Sequence, residues 1–173
     1  RAGDVVEIVL PADAPAAAVV PENLPVDIVY ENDDFYIVNK SAPLPCQCSQ
    51  KQESGALENR LAARFGAQFV FRPLNRLDKG TSGLMCAAKH AHACQLLQKQ
   101  LHTGAFAREY LAVVEGNVEG EFTVEAPIAK VDEASVRRIV DFGRGKPSVT
   151  HARAVAHGNG RTLLRLRLET GRT

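Results

Sequence analysis

The chain has 173 residues, a formal net charge of +1, 45% hydrophobic residues and 24% charged residues. This length supports a sizeable buried core, and the balance is that of an ordinary globular domain, which excludes a disordered class. No run approaches the ~20 apolar residues that cross a bilayer, no signal peptide is visible, and a charge so close to zero means that any nucleic-acid surface has to be a local basic patch.

Asp4 to Leu10 alternates in part and predicts a short strand. Pro11 to Pro25 contains four prolines and five alanines, the composition of an extended linker. Val26 to Tyr30 and Phe35 to Asn39 are short apolar runs about a polar turn and predict a hairpin, which Lys40 ends. A loop with Pro43, Pro45, Cys46 and Cys48 follows. Ser54 is a suitable N-cap for a helix from Gly55 to about Phe65, with Leu57, Leu61 and Phe65 as its apolar stripe and Gly66 as its stop.

Arg72 to Lys89 is the stretch that best fits chemistry. Pro73 leads an apolar run, read as a strand that ends at Asp78. A polar loop bearing Gly80 and Gly83 comes next, and Leu84 to Ala88 resumes as strand. Arg76 stands two residues before Asp78, so on a strand both side chains share a face, and a guanidinium there keeps the carboxylate ionised. From spacing alone, a structural Arg–Asp pair beside a tight turn stands as an open reading next to a catalytic carboxylate.

A second helix is predicted from about Ala91 to Leu101, burying Ala93, Leu96, Leu97 and Leu101 and ending at Gly104. Glu109 to Val114 is apolar on both faces and predicts an interior strand. Further strands are expected at Glu121 to Glu125, Val136 to Val140, Ser148 to Ala156 and Leu163 to Leu168. In the last, Leu164, Leu166 and Leu168 face inward and Arg165 and Arg167 outward. Asp141 to Pro147 is a glycine-rich loop carrying Arg144 and Lys146. Two helices and at least seven strands joined by tight turns give an α+β fold with a mainly antiparallel sheet.

The four cysteines do not form a secreted disulfide framework. Cys86, His90 and Cys94 are spaced four apart, but the first falls in a strand and the second at a helix start, and no Cys-x-x-Cys pair is present, so no metal is expected. Free thiols in a reducing cytoplasm are the reading.

The run Arg76-Leu77-Asp78-Lys79-Gly80-Thr81-Ser82-Gly83-Leu84 resembles the signature His-Arg-Leu-Asp-x-x-Thr-Ser-Gly-hydrophobic of the RluA-type pseudouridine synthases, with Asn75 at the position of its His. Three further segments agree in order. Tyr30 to Lys40 is similar to the family's opening strand pair, with Ser41 where Pro is usual. Arg108-Glu109-Tyr110-Leu111-Ala112 resembles its Lys-x-Tyr-x-Ala strand. Leu168 to Thr173 resembles the start of Thr-Gly-Arg-Thr-His-Gln-hydrophobic-Arg.

The resemblance implies the pseudouridine synthase fold, a bent, mixed and mainly antiparallel sheet with flanking helices. It implies isomerisation of specific uridines in structured RNA, ribosomal or transfer, without cofactor or metal. Asp78 would be the catalytic carboxylate, either stabilising or bonding to the sugar carbon or removing a proton from the sugar. Tyr110 would pack on the flipped uracil and Arg76 would lie beside the flipped nucleotide. Lys79, Lys89, Arg108, Arg144 and Lys146 are candidate phosphate contacts. Residues 1–10 would be the tail of an RNA-binding domain, 11–25 a linker, and 26–173 a catalytic domain whose last motif continues past Thr173. The expected protein is cytoplasmic, without a membrane segment, and monomeric at full length. A non-catalytic RNA-binding module of the same fold is the alternative. Chain termination after Thr173 would make Leu163 to Leu168 an edge strand.

Overall fold

The computed structural model describes residues 5, 19–49, 52–66, 68–101, 103, 105–132 and 137–170. The strand expected before Leu10, most of the linker and the terminator Gly104 lie outside these residues. The chain divides into two compact units, Arg1–Thr103 and Gly104–Thr173.

The first unit is built on a four-stranded antiparallel sheet of order β1-β2-β4-β3. Strands β1 (Ile28–Glu31) and β2 (Phe35–Lys40) form the expected hairpin. Asn32 closes its turn: Oδ1 accepts the N–H groups of Asp34 at 2.9 Å and Phe35 at 2.8 Å. Strand β2 buries every second residue, Tyr36, Val38 and Lys40, each 1% exposed. It pairs with β4 (Gly83–Ala88), whose residues from Met85 onward are buried.

Helix α1 (Leu57–Phe65) buries Leu57, Asn59, Leu61 and Ala62. Its cap is Ala56 and not Ser54. The orphan N–H groups of its first turn find other acceptors: Asn59 Oδ1 accepts from Ala56 at 2.9 Å, and the carbonyls of Pro45 and Cys46 accept from Leu57 and Glu58. Gly66, at φ +91°, ends the helix and donates to the Ala62 carbonyl. The same Asn59 donates through Nδ2 to the carbonyl of Val20 at 2.8 Å, tying the segment before β1 to the helix.

Strand β3 (Arg72–Pro73) is two residues long, so the expected strand through Asp78 is not formed. Helix α2 (Ala91–Gln100) is capped by His90, whose Nδ1 accepts the Ala93 N–H at 3.2 Å. Only Ala93 of it is buried, and Leu96 is exposed, against the expected apolar face.

The second unit is an antiparallel sheet of order β5-β10-β9-β6 and a hairpin of β7 with β8. The strands are β5 (Glu109–Glu115), β6 (Glu121–Glu125), β7 (Ile128–Lys130), β8 (Arg138–Val140), β9 (Val149–Gly158) and β10 (Arg161–Leu168). Among the described strands all pairings are antiparallel, so the expected mixed character is absent there. Strand β10 is paired on both sides, which corrects its expected place at an edge. Among the described strands β5 stands at one edge of this sheet, and its Leu111 and Val113 are exposed, so its two apolar faces do not make it interior. The register puts Tyr110 opposite Leu166, Leu166 opposite Ala152 and Ala152 opposite Phe122, giving one apolar face. Arg165 and Arg167 lie on the other, as the alternation predicts. Among described residues no helix is long and apolar enough to cross a membrane.

Candidate active site

Asp78 sits in the first unit on a turn whose three consecutive carbonyls are each held. Cys46 Sγ donates to the Leu77 carbonyl at 2.9 Å. The Thr81 N–H donates to the Asp78 carbonyl at 3.0 Å, and the Leu44 N–H to that of Lys79 at 2.9 Å. Lys40 Nζ reaches the Lys79 carbonyl at 3.5 Å. Gly83, at φ +126°, takes the chain from this turn into β4 with a backbone that side-chain-bearing residues avoid.

Arg76, Asp78 and Lys79 are exposed, while Leu77 is buried at 8% exposure. The chain therefore still alternates as a strand does after the ladder has ended at Pro73. Arg76 and Asp78 emerge on the solvent side, as their spacing predicts, with Leu77 as the anchor between them. Arg76 Nη1 donates to Gln47 Oε1 at 3.3 Å.

Asn75, at the position of the signature's His, has a visible role. Its Oδ1 accepts the Cys86 N–H at 2.9 Å and its Nδ2 donates to the Leu84 carbonyl at 3.2 Å. The Leu74 N–H donates to the Cys86 carbonyl at 2.8 Å. The side-chain amide thus continues the β3–β4 ladder by one step and fixes the entry to the Asp78 turn.

Lys40, expected only to end the β1–β2 hairpin, also belongs to this turn. Its ammonium is buried beneath the turn and donates to the carbonyls of Leu44 at 2.7 Å and Ser41 at 3.1 Å. Burial pulls its pKa below the ordinary lysine value, and the nearby Cys46 and Asp78 oppose that pull. Burial pushes the Cys46 thiol up, which keeps it protonated as the donor to Leu77. The signal for Lys40 is present in the sequence: it shares the parity of Tyr36 and Val38 on β2, the buried face.

The other residues named from the sequence are distributed differently. Lys89 follows the far end of β4 from the turn, and its Nζ pairs with Glu31 Oε1 at 2.8 Å, a bond that with Arg64 holds the Glu31 carboxyl below its usual range. Tyr110, in the second unit, is half-buried on the apolar face of β5. Arg108 accepts the Leu168 N–H at its carbonyl and donates through Nη2 to the Glu169 carbonyl at 3.4 Å, joining the start of β5 to the end of β10. Lys146 is tied by its backbone to Ile128, and Arg144 pairs with Asp141 at 2.9 Å. Among the described residues no group of three His, Cys, Asp or Glu is placed to hold a metal ion.

The arrangement at Asp78 is an exposed carboxylate on a backbone that cannot shift without breaking several bonds, with the buried Lys40 ammonium beneath the same turn. Such a group can meet a carbon of a large substrate in a fixed orientation and stabilise positive charge there.

Residues 34–173 match the sequence pattern of the RNA pseudouridylate synthase family. The chain is 38% identical over 157 residues to the ribosomal large subunit pseudouridine synthase D of Escherichia coli strain K12, covering 88% of this chain and 48% of that protein. It is 31% identical over 177 residues to the uncharacterized RNA pseudouridine synthase YjbO of Bacillus subtilis strain 168, covering 100% of this chain and 62% of that protein. The chain therefore spans about half to three-fifths of the length of these relatives. Among solved structures it is similar to human RNA pseudouridylate synthase domain containing 1, with a TM-score of 0.67, 25% identity and coverage of 86% of this chain and 61% of that one.

Proposed function

The chain belongs to the RNA pseudouridylate synthase family, and on that premise we propose that it isomerises specific uridines of structured RNA to pseudouridine. Large-subunit ribosomal RNA is the substrate class that the names of its relatives favour, and the cytoplasm is the compartment where that substrate is met. Residues 26–173 are the catalytic part in this reading.

The reaction breaks the bond between the sugar and nitrogen 1 of uracil and joins the same sugar carbon to carbon 5. Carbon 5 then loses a proton and nitrogen 1 gains one, so nothing is consumed. Loss of the nitrogen bond builds positive charge on the sugar, and Asp78 is the carboxylate that meets it. Arg76 contacts the RNA backbone next to the extruded nucleotide. Tyr110 offers a flat ring to uracil. Lys79, exposed on the turn itself, is the phosphate contact best placed for this work. Lys89 and Arg108 would first have to give up their protein partners.

The observation that carries the reading is an exposed Asp78 on a hydrogen-bonded turn, within a chain segment that matches the family. Asp78→Asn in the whole protein is expected to abolish isomerisation while RNA binding stays within a few-fold, because phosphate contacts carry the affinity. Mapping pseudouridines in RNA from cells with the wild-type gene, the variant and neither checks this. Sites that persist with the variant at wild-type levels would remove Asp78 from the reaction.

A further inference from the structure

Phe142 is 85% exposed, an unusual position for a phenylalanine. It stands at the tip of the Asp141–Gly145 turn, and that turn is rigid. Asp141 Oδ1 accepts the N–H groups of Gly143 at 2.9 Å and Arg144 at 3.0 Å, and Oδ2 accepts Arg144 Nε at 2.9 Å. The Asp141 N–H donates to Pro127, and the Gly145 N–H to Asp141. A Cβ on Gly145 would lie 2.3 Å from the Asp141 carbonyl oxygen and 2.7 Å from the Pro127 carbonyl carbon, so only glycine fits. Lys146 and Ile128 exchange both backbone hydrogen bonds, fastening the turn to the β7–β8 hairpin.

The surroundings are basic. Lys130, Arg137, Arg138, Arg144 and Lys146 belong to this hairpin and turn. Its described carboxylates are Asp132 and Asp141, and the second is used up inside the turn. Val140, just before the turn, is also exposed. An isolated apolar side chain on a surface needs no explanation. An aromatic ring on a pre-organised tip, flanked by an arginine and a lysine, is a different object: it is what a nucleobase stacks on while its phosphates meet the cations.

We propose that the Asp141–Lys146 turn is a stacking platform for an unpaired base of the RNA, with Phe142 supplying the face and Arg144 and Lys146 contacting the flanking phosphates. This rests on the reading that RNA is the partner, and charge complementarity selects that occupant over an apolar protein segment. The platform would engage nucleotides other than the one that is isomerised.

The chain contains no tryptophan and three tyrosines, so Phe142→Trp introduces a single indole at the tip that can be excited apart from the tyrosines. Titration of this variant with an unstructured oligouridine is expected to quench its emission. Phe142→Ala is expected to weaken binding of the same oligomer by about tenfold, with an unchanged thermal midpoint, and Arg144→Ala to flatten the salt dependence. Absence of quenching, or Phe142→Ala binding within twofold of wild type, would overturn the platform. If the wild-type chain itself does not bind the oligomer or form pseudouridine, the RNA reading fails too. Normal isomerisation with indifferent Phe142 variants defeats the platform alone.

Discussion

Lys40 holds a charge where there is almost no water. Its ammonium keeps the carbonyls of Leu44, Ser41 and Lys79 satisfied and stands behind the carboxylate turn. Replacing it with methionine removes the desolvation cost of the ion but leaves the Leu44 and Ser41 carbonyls without that donor. An unsatisfied buried group costs about 1–3 kcal/mol, and relief of burying the ion offsets part of this. Lys40→Met is therefore expected to lower stability by about 1–2 kcal/mol in urea unfolding, and to loosen the Asp78 turn further than that loss suggests. A variant as stable as wild type would show that those carbonyls find other donors. At this scale the motifs name Arg76, Asp78 and Tyr110, whose roles are proposed above, while the bonds of Cys46 to Leu77 and of Asn75 to Cys86 join residues apart in the chain and leave no local pattern.

Elements with a clean period were readable, and those shaped by their neighbours were not. The β1–β2 hairpin, β4 and β10 follow alternation, and α1 follows its Leu57–Leu61 stripe. The expected strand through Asp78 fails because Leu74 is the last residue to bond β4 through its own backbone, after which the Asn75 side chain takes over. Asn75→Ala is expected to cost about 1–3 kcal/mol, since it strips the Cys86 N–H and the Leu84 carbonyl of partners at once. Chemical denaturation of the variant checks this, and a loss below about 0.5 kcal/mol would mean that water replaces the amide at no cost. Asn75→His, which restores the signature, should recover part of the loss. Strand β5 shows the opposite failure. Apolar residues on both faces suggested an interior place, yet whether a strand has one neighbour or two is decided by other strands, not by its own sequence. The β7 strand, at three residues, is too short for any period to show.

For the molecule as a whole, the order of four motifs was sufficient to identify the family and the α+β class, while the division of the strands into separate sheets had no local signature. The first unit holds the sheet β1-β2-β4-β3 and the second the sheet β5-β10-β9-β6. The two are also covered unequally. The first unit buries Tyr36, Val38, Leu57, Leu61 and Met85 almost completely, whereas among the described residues of the second the buried ones are Ala152, Thr162 and Leu164. A backbone amide exchanges its proton with solvent at a rate set by how often its bond opens, and opening is cheapest where few apolar contacts are lost. In heavy water the amides of Val38 and Met85 should therefore retain their protons longest, and those of β5 and β6 should lose them well before. Mass spectrometry of peptides at successive times would separate the two groups, and a single common rate would mean that the chain opens as one cooperative body.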